Sequence, residues 1–234
     1  MEDKKRLLDI ISILDYNKKI IDVGTDHGLV PLYLAKNKIS SDITATDISG
    51  PSLQKLIDRL DDDLRKIIKT KVTDGFVGLE KNRNQVAIIA GMGANTIVEI
   101  IDQSLDFAKN LDYMVLASNV NTKELRTYLV DHGFGIEKDF LSYEKNKYYD
   151  IIKTSYKGES KLDFEEYFYG KTDIENRSDI LDQKLAIDKK KNKDFLEQIK
   201  KKSDDKKAIQ RIEERLEAIR KVYERWKLES LYKN

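Results

Sequence analysis

From the start of the chain to about residue 157, short runs rich in β-branched residues alternate with stretches whose apolar positions fall three and four apart. The runs are "KIIDVG", "DITATDI", "TKVTDG", "VAIIAG" and "YMVLASN", followed by "GIEKDFLSYEK" and "KYYDIIKTSY". Between them, Leu53, Leu56, Ile57 and Leu60, and later Ile97, Ile100, Ile101 and Leu105, carry helical spacing. Continuous apolar strands separated by helices predict a parallel sheet covered on both faces, with the last two runs as an antiparallel pair at its edge. This is a doubly wound α/β pattern.

After "SYKGES" the pattern changes. From about residue 178 charges dominate, and apolar residues recur at Ile209, Ile212, Leu216, Ile219, Tyr223 and Trp226. A looser stripe precedes it at Leu181, Leu185, Phe195 or Leu196, and Ile199, with "KKKSDDKK" as the expected reversal. Two antiparallel helices folded on each other, a short coiled coil, fit this spacing. The predicted organisation is residues 1–158 as an α/β domain and 159–234 as a helical domain.

Composition narrows the classes. With 234 residues and 40% hydrophobic content the chain can bury a core, while 43 Lys+Arg against 42 Asp+Glu leave a net charge of +1. Any nucleic-acid affinity must therefore come from local patches. The absence of cysteine removes disulfides and thiolate chemistry. No run is long and apolar enough for a membrane span, so a cytoplasmic protein is expected. The two histidines, His27 and His132, lie too far apart in sequence for zinc-type spacing, and no metal site is expected.

The candidate chemistry sits at the tip of the first strand, in "DVGTDHGLVP" (residues 22–31). In doubly wound sheets, ligands bind at the carboxyl ends of strands, where glycines let the backbone approach them. Gly24 and Gly28 suit that role, although either could merely make a tight turn. Asp47, closing "TATD" about twenty residues on, stands where an acid accepts hydrogen bonds from ribose hydroxyls, or where a residue caps the following helix. A pyrophosphate would be repelled by Asp22 and Asp26, whereas the sulfonium and ammonium of S-adenosylmethionine would be attracted. Asp74, in "TDGF", could reach an adenine amino group or serve as a turn residue.

Taken together, "DVGTDHGLVP", "TDISGP", "TDGF", "IAGMGANTI", "VLASN", "LRTYLVDHGF" and "YEKNKYYDII" resemble the TrmK family of tRNA adenine-N1 methyltransferases, which methylate adenine 22 of bacterial tRNA. The likeness runs in unbroken order over about residues 5–155, and a charged C-terminal helical hairpin is part of the family's plan. It implies a class I, Rossmann-like methyltransferase fold, S-adenosylmethionine as methyl donor and tRNA as partner; no protein partner is evident. Where the family usually shows Gln-Pro-Asn after the fifth strand, this chain has Ala117-Ser118-Asn119, and where it shows "GMGG" this chain has Gly91-Met92-Gly93-Ala94.

The resemblance also implies roles. Asp26 would be the catalytic acid of the turn, orienting the adenine N6 amino group and offsetting the charge that methylation creates. Asn119 would hold the Watson-Crick edge, since an amide donates and accepts at once. Gly91, Met92 and Gly93 would line the methionine arm of the cofactor, and Asp22, Gly24, Thr25, His27, Gly28, Asp47, Ile48, Asp74 and Gly75 complete the expected cofactor set. His27 could equally pack the turn or meet a phosphate.

RNA contact is expected from the lysines near the hairpin's far end, Lys200, Lys201 and Lys202 among them, with Arg126 and Lys147 as further candidates. Interleaved acids at Asp188, Asp194, Asp204 and Asp205 leave a solvated, self-paired face as the other reading. Two different classes stay open beside the methyltransferase: a catalytically silent RNA-binding scaffold, and a nicotinamide-dependent oxidoreductase, against which the acidic turn and the missing G-x-G-x-x-G argue.

Overall fold

The computed structural model describes residues 4–158, 161–202 and 205–232. The chain divides into two compact units, one formed by residues 1–138 and 142–160, the other by 139–141 and 161–234. Within the first run α1 (Lys5–Ile11), β1 (Lys19–Val23), α2 (Leu29–Lys36), β2 (Ile43–Asp47), α3 (Gly50–Ile57), α4 (Asp62–Ile67), β3 (Ile68–Val72), β4 (Gln85–Ala90), α5 (Ala94–Gln103), α6 (Leu105–Ala108), β5 (Tyr113–Ser118), α7 (Thr122–Asp131), β6 (Phe134–Glu144) and β7 (Lys147–Tyr156). Each apolar run of the sequence supplies one strand.

The seven strands lie in the order β3-β2-β1-β4-β5-β7-β6. The first five are parallel, and β7 pairs antiparallel with β5, setting Ser118 opposite Asp150. A two-residue turn with positive φ at Lys145 and Asn146 joins β6 to β7, the geometry that matches strand twist in tight hairpins. Burial follows position in the sheet. All six residues of β5 are buried, while β3 at the edge turns Lys69 and Lys71 outward, which blunts that edge against further pairing. β1 pairs with β2 on one side and with β4 on the other, so the chain reverses its winding there and opens a crevice at the carboxyl ends of those strands.

Local chemistry sets the helix starts facing that crevice. Ser49 caps α3 by accepting from the Ser52 N–H, and a proline stands in its first turn. Pro31 lies in the first turn of α2, where its missing N–H has no helical partner to lose. Gly28, at φ +67°, caps α2, and a Cβ there would come within 2.4 Å of Leu56. It closes the packing of α2 on α3.

The second unit contains α8 (Phe164–Tyr169), α9 (Lys171–Asn176), α10 (Asp179–Lys202) and α11 (Lys206–Tyr232). Contacts from Tyr223 to Asp182 and from Lys200 to Glu213 show that α10 and α11 run antiparallel. Leu181 and Leu185 of α10 are fully buried, as are Ala218, Ile219 and Val222 of α11, whereas Phe195 is exposed. The expected seam is therefore uneven, with its dry part away from the reversal, whose residues 203 and 204 lie outside the described residues. Trp226 does more than continue the stripe: its indole N–H donates to the Ile174 carbonyl of α9 at 2.7 Å. Beside it Arg225 meets Glu166 of α8 at 2.7 Å and Glu175 of α9 at 3.9 Å. The short helices α8 and α9, absent from the sequence expectation, are what the end of α11 rests on.

One expected RNA contact is overturned. Arg126 is fully buried in α7, where its guanidinium donates to Asp150 Oδ1 at 2.6 Å while Thr122 donates to the other oxygen at 2.8 Å. It locks α7 to β7 and cannot reach a phosphate. Removing one member of a buried pair strands the other's charge, so Arg126→Ala should cost about 3–5 kcal/mol in urea unfolding. A loss below about 1 kcal/mol would mean that the pair is screened like a surface bridge.

Candidate active site

The crevice between β1 and β4 deepens into a cavity of about 560 Å³, within the range of roughly 300–1,000 Å³ common for small-molecule sites. Its floor is the loop after β1. Gly24 N–H and Thr25 N–H both donate to the Thr46 carbonyl, at 2.8 and 3.0 Å, which turns the backbone sharply away from the sheet. Gly24 has φ +71°, and a Cβ there would lie 2.0 Å from the Met92 methyl. A side chain there would displace the Met92 methyl and be strained by the left-handed backbone. Across the crevice Gly91 has φ +84° with nothing within 4 Å of where a Cβ would point, so the turn after β4 leaves open space.

Asp47 organises the mouth. Its Oδ2 accepts from the Asp26 N–H at 3.1 Å and its Oδ1 from the Ser49 N–H at 2.8 Å. The cap of α3 is Ser49, so Asp47 is not the cap; it ties the loop after β1 to the loop after β2. A carboxylate oxygen has a second acceptor site, so both oxygens can still receive hydroxyl donors from a ligand. Asp26 sits at φ +45°, a left-handed conformation uncommon for a side-chain residue, held by that N–H bond. Its exposed carboxylate meets His27 Nε2 at 3.4 Å and Lys55 Nζ at 3.9 Å.

Asp22 is buried at the end of β1. Loss of hydration pushes its carboxyl up to about 7; the Thr25 hydroxyl, close by but in hydrogen-bonding geometry with no described group, draws it down, and the charge of Asp47 raises it further. An acid this high is half neutral near pH 7, and a cation placed in the cavity would favour its charged form.

The cavity wall includes Asp22, Gly24, Thr25, Asp26, His27, Asp47, Ile48, Asp74, Gly75, Gly91 and Met92 from the expected set. Asp74 is exposed and its carboxylate has no hydrogen-bond or ion-pair partner among the described residues, while its carbonyl closes the turn to Val77. Gly28 and Gly93 shape the neighbouring turns without lining the cavity. Asn119 is exposed on the loop after β5, beside the Gly93 turn, where the Ala94 N–H donates to the Val120 carbonyl at 3.3 Å. It stands next to the cavity wall, not in it.

Other wall residues were not in the expected set. Arg6, Leu7 and Ile10 of α1 close one side, and Thr96, Glu99 and Gln103 of α5 another. Polar positions three and four apart on α5, the first of them inside "IAGMGANTI", were the available signal for the latter. Arg6 stacks over the Tyr149 ring, its guanidinium carbon 4.5 Å from the centroid. Among the remaining RNA candidates, Lys147 is exposed at the start of β7, toward the carboxyl end of β5 with which that strand pairs. Lys200 is paired with Glu213 at 3.2 Å, Lys201 is exposed, and the side chain of Lys202 lies outside the described residues. No helix among the described residues is long and apolar enough to cross a membrane, and no group of three or more His, Asp or Glu among them could hold a metal ion.

The raised Asp22 carboxyl has a consequence for stability. The unfolded chain ionises this group near its ordinary value of 3.8, while the folded chain keeps it protonated to about 7. Folding stability without ligand must therefore fall as pH rises between those values, at up to about 1.4 kcal/mol per pH unit from this group. Asp22→Asn should remove that part of the slope and raise Tm at pH 8 relative to wild type. An unaltered difference in Tm between pH 5 and pH 8 would show that Asp22 is already ionised in the fold.

Comparison with known proteins places this geometry. Residues 3–152 match a family model described as a methyltransferase domain. A putative tRNA methyltransferase of Mycoplasma genitalium, MG248, is 30% identical over 153 residues, covering 64% of this chain and 68% of that protein. The tRNA (adenine(22)-N(1))-methyltransferase of Bacillus subtilis is 24% identical over 149 residues, and the match spans 63% of each chain. The crystal structure of Streptococcus pneumoniae Sp1610, a putative tRNA (m1A22) methyltransferase in complex with S-adenosyl-L-methionine, superposes with a TM-score of 0.82 at 25% identity, over 93% of this chain and 98% of that one. The chain belongs to the methyltransferase-domain family, in the TrmK branch that its motifs resemble.

Proposed function

We propose that this chain transfers a methyl group from S-adenosylmethionine to N1 of adenine 22 in tRNA. The observation that carries the reading is the acidic lining of the cavity: Asp22, Asp47 and Asp74 line a pocket at the switch point of the sheet, together with three positive-φ glycines, Gly24, Gly75 and Gly91. That donor set fits a ligand with a cationic sulfonium and ammonium, a ribose and an exocyclic amine. It does not fit a pyrophosphate. Asp22 would face the cationic end, Asp47 the ribose hydroxyls and Asp74 the adenine amine, with Ile48 and Met92 as apolar walls. When bound, the cofactor supplies an activated methyl group.

The chain's own residues then have to position a base. Adenine N1 carries an in-plane lone pair and needs no general base, so catalysis rests on alignment and desolvation, which reach about 7–11 kcal/mol in well-oriented reactions. Asp26 at the mouth would accept from the adenine N6 amine and offset the positive charge that N1 acquires. Asn119, on the adjacent loop, would address the Watson-Crick edge with its amide. That edge must be free, so the base is unpaired or flipped out of its helix.

Residues 1–158 would form the catalytic domain and 159–234 a helical domain that grips RNA through Lys200, Lys201 and Lys202, with Lys147 contributing from the start of β7. The proposed setting is the cytoplasm. The deciding experiment is kinetic. If Asp26 acts on the adenine in the transition state, Asp26→Ala should lower kcat for methyl incorporation into tRNA by at least about a hundredfold, with S-adenosylmethionine affinity nearly unchanged. Turnover near the wild-type rate would remove Asp26 from the mechanism.

A further inference from the structure

Past the end of α3 stand two arginines held by backbone carbonyls, and the first of them is bound to the loop that bears Asp26. Arg59, just past the end of α3, donates from Nη1 to the His27 carbonyl at 2.6 Å. Arg65 of α4 donates from Nη2 to the Ile57 carbonyl at 3.0 Å. Both are exposed, and among the described residues neither guanidinium is paired with a carboxylate. Of the neighbouring acids, Asp58 accepts from Gln54, Asp61 from the Leu64 N–H, and Asp63 is bridged by Lys66, while Asp62 stands exposed in the first turn of α4. Lys55, one turn before Arg59, reaches to 3.9 Å from Asp26.

A carbonyl anchor restrains a guanidinium but leaves its full charge and most of its five N–H donors available. Such a planar, held fork suits a phosphate, which it can bind through two parallel hydrogen bonds. Resting on the functional reading above, we infer that Lys55, Arg59 and Arg65 form a phosphate track for the RNA strand that carries the target adenine. A base whose Watson-Crick edge meets Asp26 leaves its sugar-phosphate backbone at the mouth of the cavity, where Lys55 and Arg59 stand. Arg65, held at the end of α3, would carry the track onward from the mouth. The anchor from Arg59 to the His27 carbonyl would also couple phosphate seating to the loop that bears Asp26.

The test is tRNA binding across a salt series, with wild type, the Lys55→Gln/Arg59→Gln/Arg65→Gln triple variant, and the Lys55→Gln/Arg65→Gln double variant that keeps the His27 anchor. With about 0.7–0.9 counterions released per phosphate contact, the log-log salt slope should fall by roughly 2–3 in the triple variant and roughly 1.5 in the double. Affinity at low salt should drop at least tenfold in the triple variant, while thermal stabilisation by S-adenosylmethionine stays at the wild-type value. Wild-type slopes in both variants overturn the track, and so does a loss confined to the triple variant, which would trace to the disturbed loop. Methyl incorporation by wild type, scored alongside, separates the two claims. Its absence defeats the functional reading, whereas incorporation with unchanged slopes defeats the track alone.

Discussion

A single carboxylate ties together the two loops on which the site depends. Asp47, at the end of β2, accepts from the backbone N–H of Asp26 in the loop after β1 and from that of Ser49 at the start of α3. Through the first bond Asp26 is held at a positive φ, its side chain at the mouth; through the second the N-terminus of α3 is set in place. Hydrogen bonds to a charged acceptor contribute about 1.5–3 kcal/mol each, enough to oppose the strain of a left-handed aspartate. The parallel register of β1 with β2 brings these groups within reach, since Val23 lies opposite Thr46.

The same arrangement sets the electrostatics. Asp22 is buried at the end of β1, and loss of hydration, with a smaller contribution from the charge of Asp47, pushes its carboxyl up to about 7. Around the mouth positive charge enters, with Lys55 beside the exposed Asp26 and Arg59 bound to the neighbouring His27 carbonyl. A cavity negative within and positive at its rim matches a cationic small ligand inside and a polyanion outside. That is the charge pattern a nucleic-acid methyltransferase requires.

Much of this was legible in the chain. Strands buried on both faces announce themselves as continuous apolar runs, and the turn "DVGTDHG" shows its chemistry because acids and glycines have little other reason to crowd a strand end. What escaped depends on partners distant in sequence. Arg126 looks like a surface cation until Asp150, on β7, is placed beside it. Arg6, Thr96 and Glu99 reach the cavity because α1 and α5 pack beside it, and for Arg6 nothing in the local pattern says so. The short helices α8 and α9 gave no periodic signal over six residues each, yet they receive Arg225 and Trp226 of α11. The role of Asp47 was read as a choice between ribose ligand and helix cap, and the geometry shows a third use, as a clasp between loops.

The account stands or falls on where the methyl group goes. Unmodified tRNA transcript incubated with the protein and methyl-labelled S-adenosylmethionine, then digested and mapped by mass spectrometry, should carry a single 1-methyladenosine at position 22, and a transcript with guanine there should stay unlabelled. A methyl group at another atom or another nucleotide, or equal labelling of the two transcripts, would contradict it.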